Sequence, residues 1–176
     1  MAFKKELKLK VKVSDFKKLK EVLGKIAKYK GNESDIDYFF LNQNINEPYE
    51  FRLRKSVKEK LVTFKIQKSL NSIQENTEFK FTIDDPEDFV SFIEILGFKF
   101  VSSIRKDSEI FQKEHIAIRL SEVEDLGVFI ELTTECISES EEECEEKMLR
   151  ILEELEINKE LIDNRSYGVI KQSVQN

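Results

Sequence analysis

The sequence predicts an α+β fold in which a closed antiparallel β-barrel carries its helices on the outside, and three observations carry that expectation. Strand-like alternation of apolar and polar residues recurs along most of the chain. Helical spacing of apolar residues interrupts it at a few places. The polar faces of the strands, finally, are unusually rich in lysine, arginine and glutamate.

The elements follow in order. Leu7, Leu9, Val11 and Val13 alternate with Glu6, Lys8, Lys10 and Lys12, which is a long first strand with two unlike faces. Ser14 offers an N-cap, and Phe16, Leu19, Leu23 and Ile26 keep helical spacing up to Lys30-Gly31-Asn32, read as a breaker. Strands follow over Ile36 to Leu41, Tyr49 to Lys55, Leu61 to Lys68 and Thr77 to Ile83. Asp85-Pro86-Glu87 has the cap and first-turn proline of a second helix, which ends at Gly97. Further strands are expected over Phe98 to Ser103, Asp107 to Gln112, Ile116 to Val123 and Gly127 to Thr134. A third helix starts near Ser140 with Cys144, Met148, Ile151, Leu152 and Leu155 as its buried stripe, and Asn158 caps a short fourth.

About eight or nine strands with interspersed helices suit either a sandwich or a closed barrel. The polar faces decide between them. They read Glu6/Lys8/Lys10/Lys12, Glu50/Arg52/Arg54, Thr63/Lys65/Gln67, Asn76/Glu78/Lys80/Thr82, Arg119/Ser121 and Glu131/Thr133. If these faces line a barrel interior, helices cover the opposite apolar faces, which inverts the usual small barrel. Read without that closure, the same charges are the solvated face of an open sheet.

The 176 residues, 40% of them hydrophobic, suit one domain spanning 1–176, and neither an internal repeat nor a linker-like stretch stands out. A net charge of −6 argues against a nucleic-acid partner. The run from Glu139 to Glu146 reads as a solvated helix face. Apolar runs such as Phe89 to Phe92 and Ile93 to Phe98 fall far short of a membrane span, and the first residues lack an apolar signal core, so a cytoplasmic protein without a membrane partner is expected. Cys136 and Cys144 read as two reduced thiols. His115, in a Lys-Glu-His turn, and Ser166 have no neighbours that would make either a catalytic group.

A series of short motifs gives the barrel a more specific meaning. Glu6-Leu7-Lys8-Leu9-Lys10 opens the first strand, Asp37-Tyr38-Phe39 lies on the second, and Arg52-Leu53-Arg54 and Thr63-Phe64-Lys65 follow. Leu96-Gly97-Phe98 ends the second helix, Val123 to Glu131 reads Val-Glu-Asp-Leu-Gly-Val-Phe-Ile-Glu, and Ser166-Tyr167 stands near the C-terminus. In this order and spacing the chain resembles the CYTH family, which includes class IV adenylyl cyclases, thiamine triphosphatases and inorganic triphosphatases.

The resemblance implies a closed antiparallel eight-stranded barrel, the triphosphate tunnel, over nearly the whole chain. It implies phosphate binding by Lys10, Arg52, Arg54 and Lys65, with Lys80, Lys106 and Arg119 in support, and a catalytic role for Lys10 and Lys65. Several cations are what a buried triphosphate requires, arginine as a bidentate donor and lysine as a compact charge. It implies one divalent ion, Mg2+ or Mn2+, held by the inward carboxylates Glu6, Glu78 and Glu131. The ligand would be ATP, tripolyphosphate or thiamine triphosphate. Whether two chains pair as a homodimer stays open.

The departures from the family pattern bear on that ion. Lys8 stands where the opening motif has its middle glutamate, Ser121 where an aspartate is expected, and Thr133 where a second glutamate follows Glu131. On the basic side, Ser108 and Asn76 replace arginines. A weakened metal site is therefore expected, with Lys8 drawing phosphate directly. The resemblance favours an enzyme of the cyclase or triphosphatase kind; the eroded acidic set favours a degenerate, non-catalytic phosphate- or nucleotide-binding module; an interaction scaffold is the third reading.

Overall fold

The computed structural model describes residues 6–46, 49–70, 73–136 and 140–175, with side chains placed except at 67–77, 172 and 175. Its strands are β1 (Glu6–Val13), β2 (Lys28–Leu41), β3 (Tyr49–Ser56), β4 (Lys60–Leu70), β5 (Ile73–Thr82), β6 (Lys99–Lys113), β7 (Ile116–Val123) and β8 (Gly127–Glu135). The helices are α1 (Phe16–Ile26), α2 (Pro86–Ile95), α3 (Glu141–Glu154) and α4 (Tyr167–Gln175), with a 3-10 turn at Lys159–Leu161.

The strands close into an antiparallel barrel in the order β1-β5-β4-β3-β2-β6-β7-β8. β2 to β5 and β6 to β8 are two meanders, and β1 stitches them together. Among the described residues it pairs with β8 from Glu6 opposite Glu135 to Val13 opposite Val128, and with β5 from Glu6 to Lys8. Three apolar clusters pack on the barrel. Leu7, Leu9, Val11, Ile118, Leu120, Ile130 and Leu132 meet Leu19 and Leu23 of α1 and Met148, Ile151 and Leu152 of α3. Phe51, Leu53 and Val62 meet Ile93 of α2. Phe39, Ile104 and Phe129 meet Tyr167 and Ile170 of α4, which packs Gly168 close to the Phe39 ring. Helices α1, α2 and α3 thus cover much of the outer apolar face, while Phe79, Phe81 and Phe100 stay exposed; α4 packs instead on Phe39, Ile104 and Phe129, which share their strand faces with the inward Asp37, Lys106 and Glu131.

Some boundaries differ from expectation, each for a local reason. Lys30-Gly31-Asn32 is no breaker: α1 ends at Ile26, and the chain runs straight into β2. Gly31, at φ 121°, absorbs a bulge between Tyr29 and itself opposite β6. Asp15, whose carboxylate accepts from the Lys18 amide at 2.9 Å, caps α1 in place of Ser14. The segments 98–103 and 107–112 are one strand, β6, because both pair continuously with the long β2. The expected caps of α2 and α3 are present: Asp85 accepts from the Glu87 and Asp88 amides, and Ser140 and Glu143 form a capping box. Asn158 caps only the 3-10 turn, and α4 lay beyond the periodicity reading.

The two cysteines are also not separate thiols. Cys136 follows β8 and Cys144 lies in the first turns of α3; their Cα atoms are 6.5 Å apart, and they are joined as a disulfide. His115 lies exposed in the β6–β7 turn, as expected. No helix among the described residues is long and apolar enough to cross a membrane.

Candidate functional site

The inward side chains meet in a cavity of about 290 Å³. β1 contributes Glu6, Lys8 and Lys10; β3 contributes Glu50, Arg52 and Arg54; β4 and β5 contribute Lys65, Glu78 and Lys80. Lys106, Arg119 and Glu131 come from β6, β7 and β8, and Arg165, Ser166 and Tyr167 from the turn into α4. Strand parity is the reason they converge, since residues two apart on a strand share a face and the register sets Lys10 opposite Glu131 and Arg52 opposite Thr63. Every residue expected to bind phosphate or metal lines this one cavity.

The cavity has depth. The side chains of Lys80 and Lys8 are 46% and 27% exposed and mark its mouth, whereas Lys10 and Lys106 are 3% exposed. At depth the charges are locked by carboxylates that the reading of strand faces passed over. Asp37, fully buried, accepts from Arg54 Nε at 2.7 Å and Nη2 at 3.0 Å, and its Oδ2 lies 2.7 Å from Lys106 Nζ and 3.4 Å from Arg52 Nη1. Asp35 lies 3.4 Å from both Arg54 Nη1 and Arg119 Nη1, and Glu33 accepts from Arg119 Nη2 at 2.7 Å. The signal was present: Glu33, Asp35 and Asp37 have the same alternation as the basic faces, but the expected strand began at Ile36 and its polar face was counted only for the Asp-Tyr-Phe motif.

Lys65, whose side chain is 11% exposed, pairs with Glu78 at 2.8 Å, and Lys80 at the mouth reaches both Glu78 and Glu6. Lys8 pairs with Glu131, which also accepts from the Tyr167 hydroxyl at 2.7 Å. Lys10 donates to the Arg165 carbonyl and lies 4.3 Å from the centre of the Tyr167 ring; Lys106 lies 5.3 Å from the same ring. Tyr167 is therefore a wall residue of the site, and the Ser-Tyr motif locates it. Ser166 instead serves α4, where its Oγ accepts from the Val169 amide at 3.3 Å.

Burial and charge set the protonation states. Desolvation lowers Lys10 to about 8, and the Lys8 charge pushes the same way. Desolvation also takes Lys106 to about 8, with Arg54 and Arg52 pushing the same way and Asp37 opposing. Lys65 is lowered by burial and by Arg52 and Lys8. Burial alone would push Asp37 up, but Arg52, Lys106 and Arg54 outweigh it and hold the carboxyl well below its usual range. Glu131 is likewise held down against burial by Lys8, Lys106 and Lys10. Burial and the Glu131 charge push Tyr167 well up, so its hydroxyl keeps its proton.

These contacts also test the expected metal ligands. Glu6, Glu78 and Glu131 all line the cavity, but Glu78 and Glu131 are neutralised by lysines at contact distance. Among the described residues no three histidine, cysteine, aspartate or glutamate side chains gather as a metal site. The donor set thus does not fit an ion held by the protein alone. Ser121 and Ser108, at two of the substituted positions, bond each other at 2.8 Å in the buried interior. The Asn76 side chain lies outside the described residues.

Comparison with known proteins agrees with this architecture. The CYTH domain profile matches residues 3–167. A Methanocaldococcus jannaschii protein, named provisionally as an adenylate cyclase, is 34% identical over 92% of this chain and 95% of its own. A solved structure of a Pyrococcus horikoshii protein has a TM-score of 0.82 at 25% identity, covering 93% of this chain and 97% of that one. A conserved Pyrococcus furiosus protein without an assigned function has a TM-score of 0.80 at 25% identity over 93% and 98%. The chain belongs to the CYTH family.

Proposed function

We propose that the barrel cavity binds the phosphates of a triphosphate, with ATP, tripolyphosphate and thiamine triphosphate as candidates, and that the protein turns its ligand over as a class IV adenylyl cyclase or a triphosphatase. One observation carries the binding reading: cations from six strands line a closed polar cavity and outnumber its carboxylates. A triphosphate supplies the missing negative charge and acceptor oxygens. Arg52 is poised for it, since its Nε is buried without a hydrogen-bond partner in the protein. Lys8 and Lys80 meet the anion at the mouth. Lys10 and Lys65, deeper inside, offset charge that builds on the phosphoryl oxygens as the phosphorus is attacked, by the ribose 3′-oxygen in a cyclase or by water in a hydrolase.

A second reading, binding without turnover, is favoured by Lys8. Its ammonium pairs with Glu131 where the family pattern has a glutamate, so a fixed cation occupies a place that carboxylate chemistry would need. Incubation with ATP, tripolyphosphate and thiamine triphosphate, with and without Mg2+ or Mn2+, followed by product separation, decides among the readings. Cyclic AMP means a cyclase and released phosphate a hydrolase. Bound but unchanged substrate means a binding module, and no binding at all removes the proposal.

A further inference from the structure

The outer face of β5 is left bare. Among the described residues, neither the apolar cluster under α2 nor the one under α1 and α3 includes a residue of that strand. Phe79 and Phe81 share this face, because they stand opposite Phe64 and Val62 of β4, which pack under α2. They are 51% and 50% exposed.

α2 carries apolar groups beyond the side it buries. Ile93 points into the barrel wall, while Phe89, Phe92 and Leu96 recur at helical spacing along one flank. That flank faces β5, since the Phe89 and Phe81 rings lie 6.1 Å apart. Phe92 and Leu96 are again about half exposed, and Ile95 is 85% exposed. A ridge and a trough therefore lie side by side: α2 rises with Phe92, Ile95 and Leu96, and β5 beside it offers a floor of Phe79 and Phe81.

The patch is large for a single chain. Three half-exposed phenylalanines, each with roughly 150–250 Å² of surface, together with Ile95 and Leu96 leave on the order of 500 Å² of apolar surface against water. That lies toward the upper end of the largest patch on an ordinary monomer, about 300–600 Å². With a polar rim it approaches the roughly 800 Å² that each partner of a stable complex buries. The only charges on α2 are Glu87, Asp88 and Glu94, so an anionic membrane surface is repelled rather than drawn to it.

From this geometry we infer that the chain pairs with a second copy of itself through this face. The contact is isologous: about a twofold axis the two α2 helices lie side by side and antiparallel, each over the trough on β5 of the other copy. Glu78 and Lys80 leave the same stretch of β5 toward the cavity, so the contact backs the site and leaves its mouth open.

The test is sedimentation velocity on the full chain from nanomolar to high micromolar concentration, with Phe92→Lys, Ile95→Lys and, as a control, Val57→Lys; circular dichroism melts check that each variant is folded. Val57, 97% exposed in the turn between β3 and β4, lies outside the contact. A dimer is expected at micromolar concentration, with its midpoint moved up by roughly tenfold or more in the first two variants and unmoved in the third. A monomer at every concentration overturns the inference, and flotation with phosphatidylcholine and phosphatidylserine vesicles then tells whether the patch meets lipid instead. A dimer that Phe92→Lys and Ile95→Lys both leave intact also overturns it, as does association that continues past two chains.

Discussion

The Tyr167 hydroxyl donates to Glu131 Oε1 at 2.7 Å, so the C-terminal helix is tied by a charge-assisted bond to the last strand of the barrel. Tyr167→Phe keeps the ring packed against Phe129 and removes only that bond. A loss of about 1.5 to 3 kcal/mol is expected, seen as a Tm lower by roughly 3 to 12 °C. An unchanged Tm would mean that the bond adds nothing beyond what water offers.

Arg52 and Arg54 should separate cleanly by assay. Arg54 is committed to Asp37, whereas Arg52 retains a free buried Nε. Arg52→Ala is expected to weaken tripolyphosphate binding by roughly ten- to a hundredfold with little loss of stability. Arg54→Ala should instead cost stability first, about 3 kcal/mol. Glu142→Ala, on the exposed face of α3, should change neither. Equal affinity losses for all three variants in calorimetry would point to nonspecific electrostatics.

Asp37→Asn removes the shared counter-ion of Arg52, Arg54 and Lys106 and should destabilise the protein by about 3 to 5 kcal/mol. A triphosphate brings replacement charge, so tripolyphosphate should raise the Tm of the variant more than that of the parent. Equal shifts in a thermal melt would argue that the ligand never reaches these cations.

The lowered lysines make a signed pH prediction. Lys10 and Lys106 titrate near 8 in the folded chain, against about 10.4 when unfolded. Between those values the unfolded chain holds more protons, so these two groups make stability rise with pH from about 8 to about 10.4. Below 8 their buried charges cost a constant amount. Binding has the opposite trend: a phosphate chain favours the charged amines, so affinity should fall above pH 8 and binding near pH 8 should take up protons. Calorimetry in buffers of unlike ionisation enthalpy reads that uptake, and a heat independent of buffer would refute it.

At Lys8 the chain departs most sharply from its family. Lys8→Glu should lower triphosphate affinity measured without metal, because a mouth cation is lost beside Glu131. It should also tighten manganese binding and raise turnover, since a hard oxygen ligand then joins Glu6 and Glu131, and adding Ser121→Asp should extend the gain. If a folded Lys8→Glu protein keeps its metal affinity, metal-free affinity and turnover, the side chain lies outside the site.

Much of this was readable in the chain because strand parity is strict. Once Arg52, Arg54, Lys65 and Lys10 were on polar faces, closing the sheet left them nowhere to point but inward. The inverted barrel followed from the same alternation, and the motif order gave the family. What escaped depended on contacts between distant segments. Gly31 looks like a helix stop in one dimension and is a bulge only because β6 lies opposite. Cys136 and Cys144 meet only because the end of β8 and the start of α3 lie side by side. Asp37 was visible as a motif letter, but its work as counter-ion needs Arg54 opposite it on β3 and Lys106 from β6.

The uneven stitching of β1 gives the barrel a weak side. Among the described residues its ladder to β8 runs the full strand, while its ladder to β5 spans Glu6 to Lys8, and Ile162 and Asp163 bond the edge beyond at Val11 and Lys10. That short seam borders the mouth, with Lys8 on one bank and Lys80 on the other. Amide protons along it should exchange sooner than those of the β1–β8 ladder. Under the triphosphate reading, a polyanion held by Lys8 and Lys80 would slow that exchange, so ligand capture would also tighten the barrel beside its mouth.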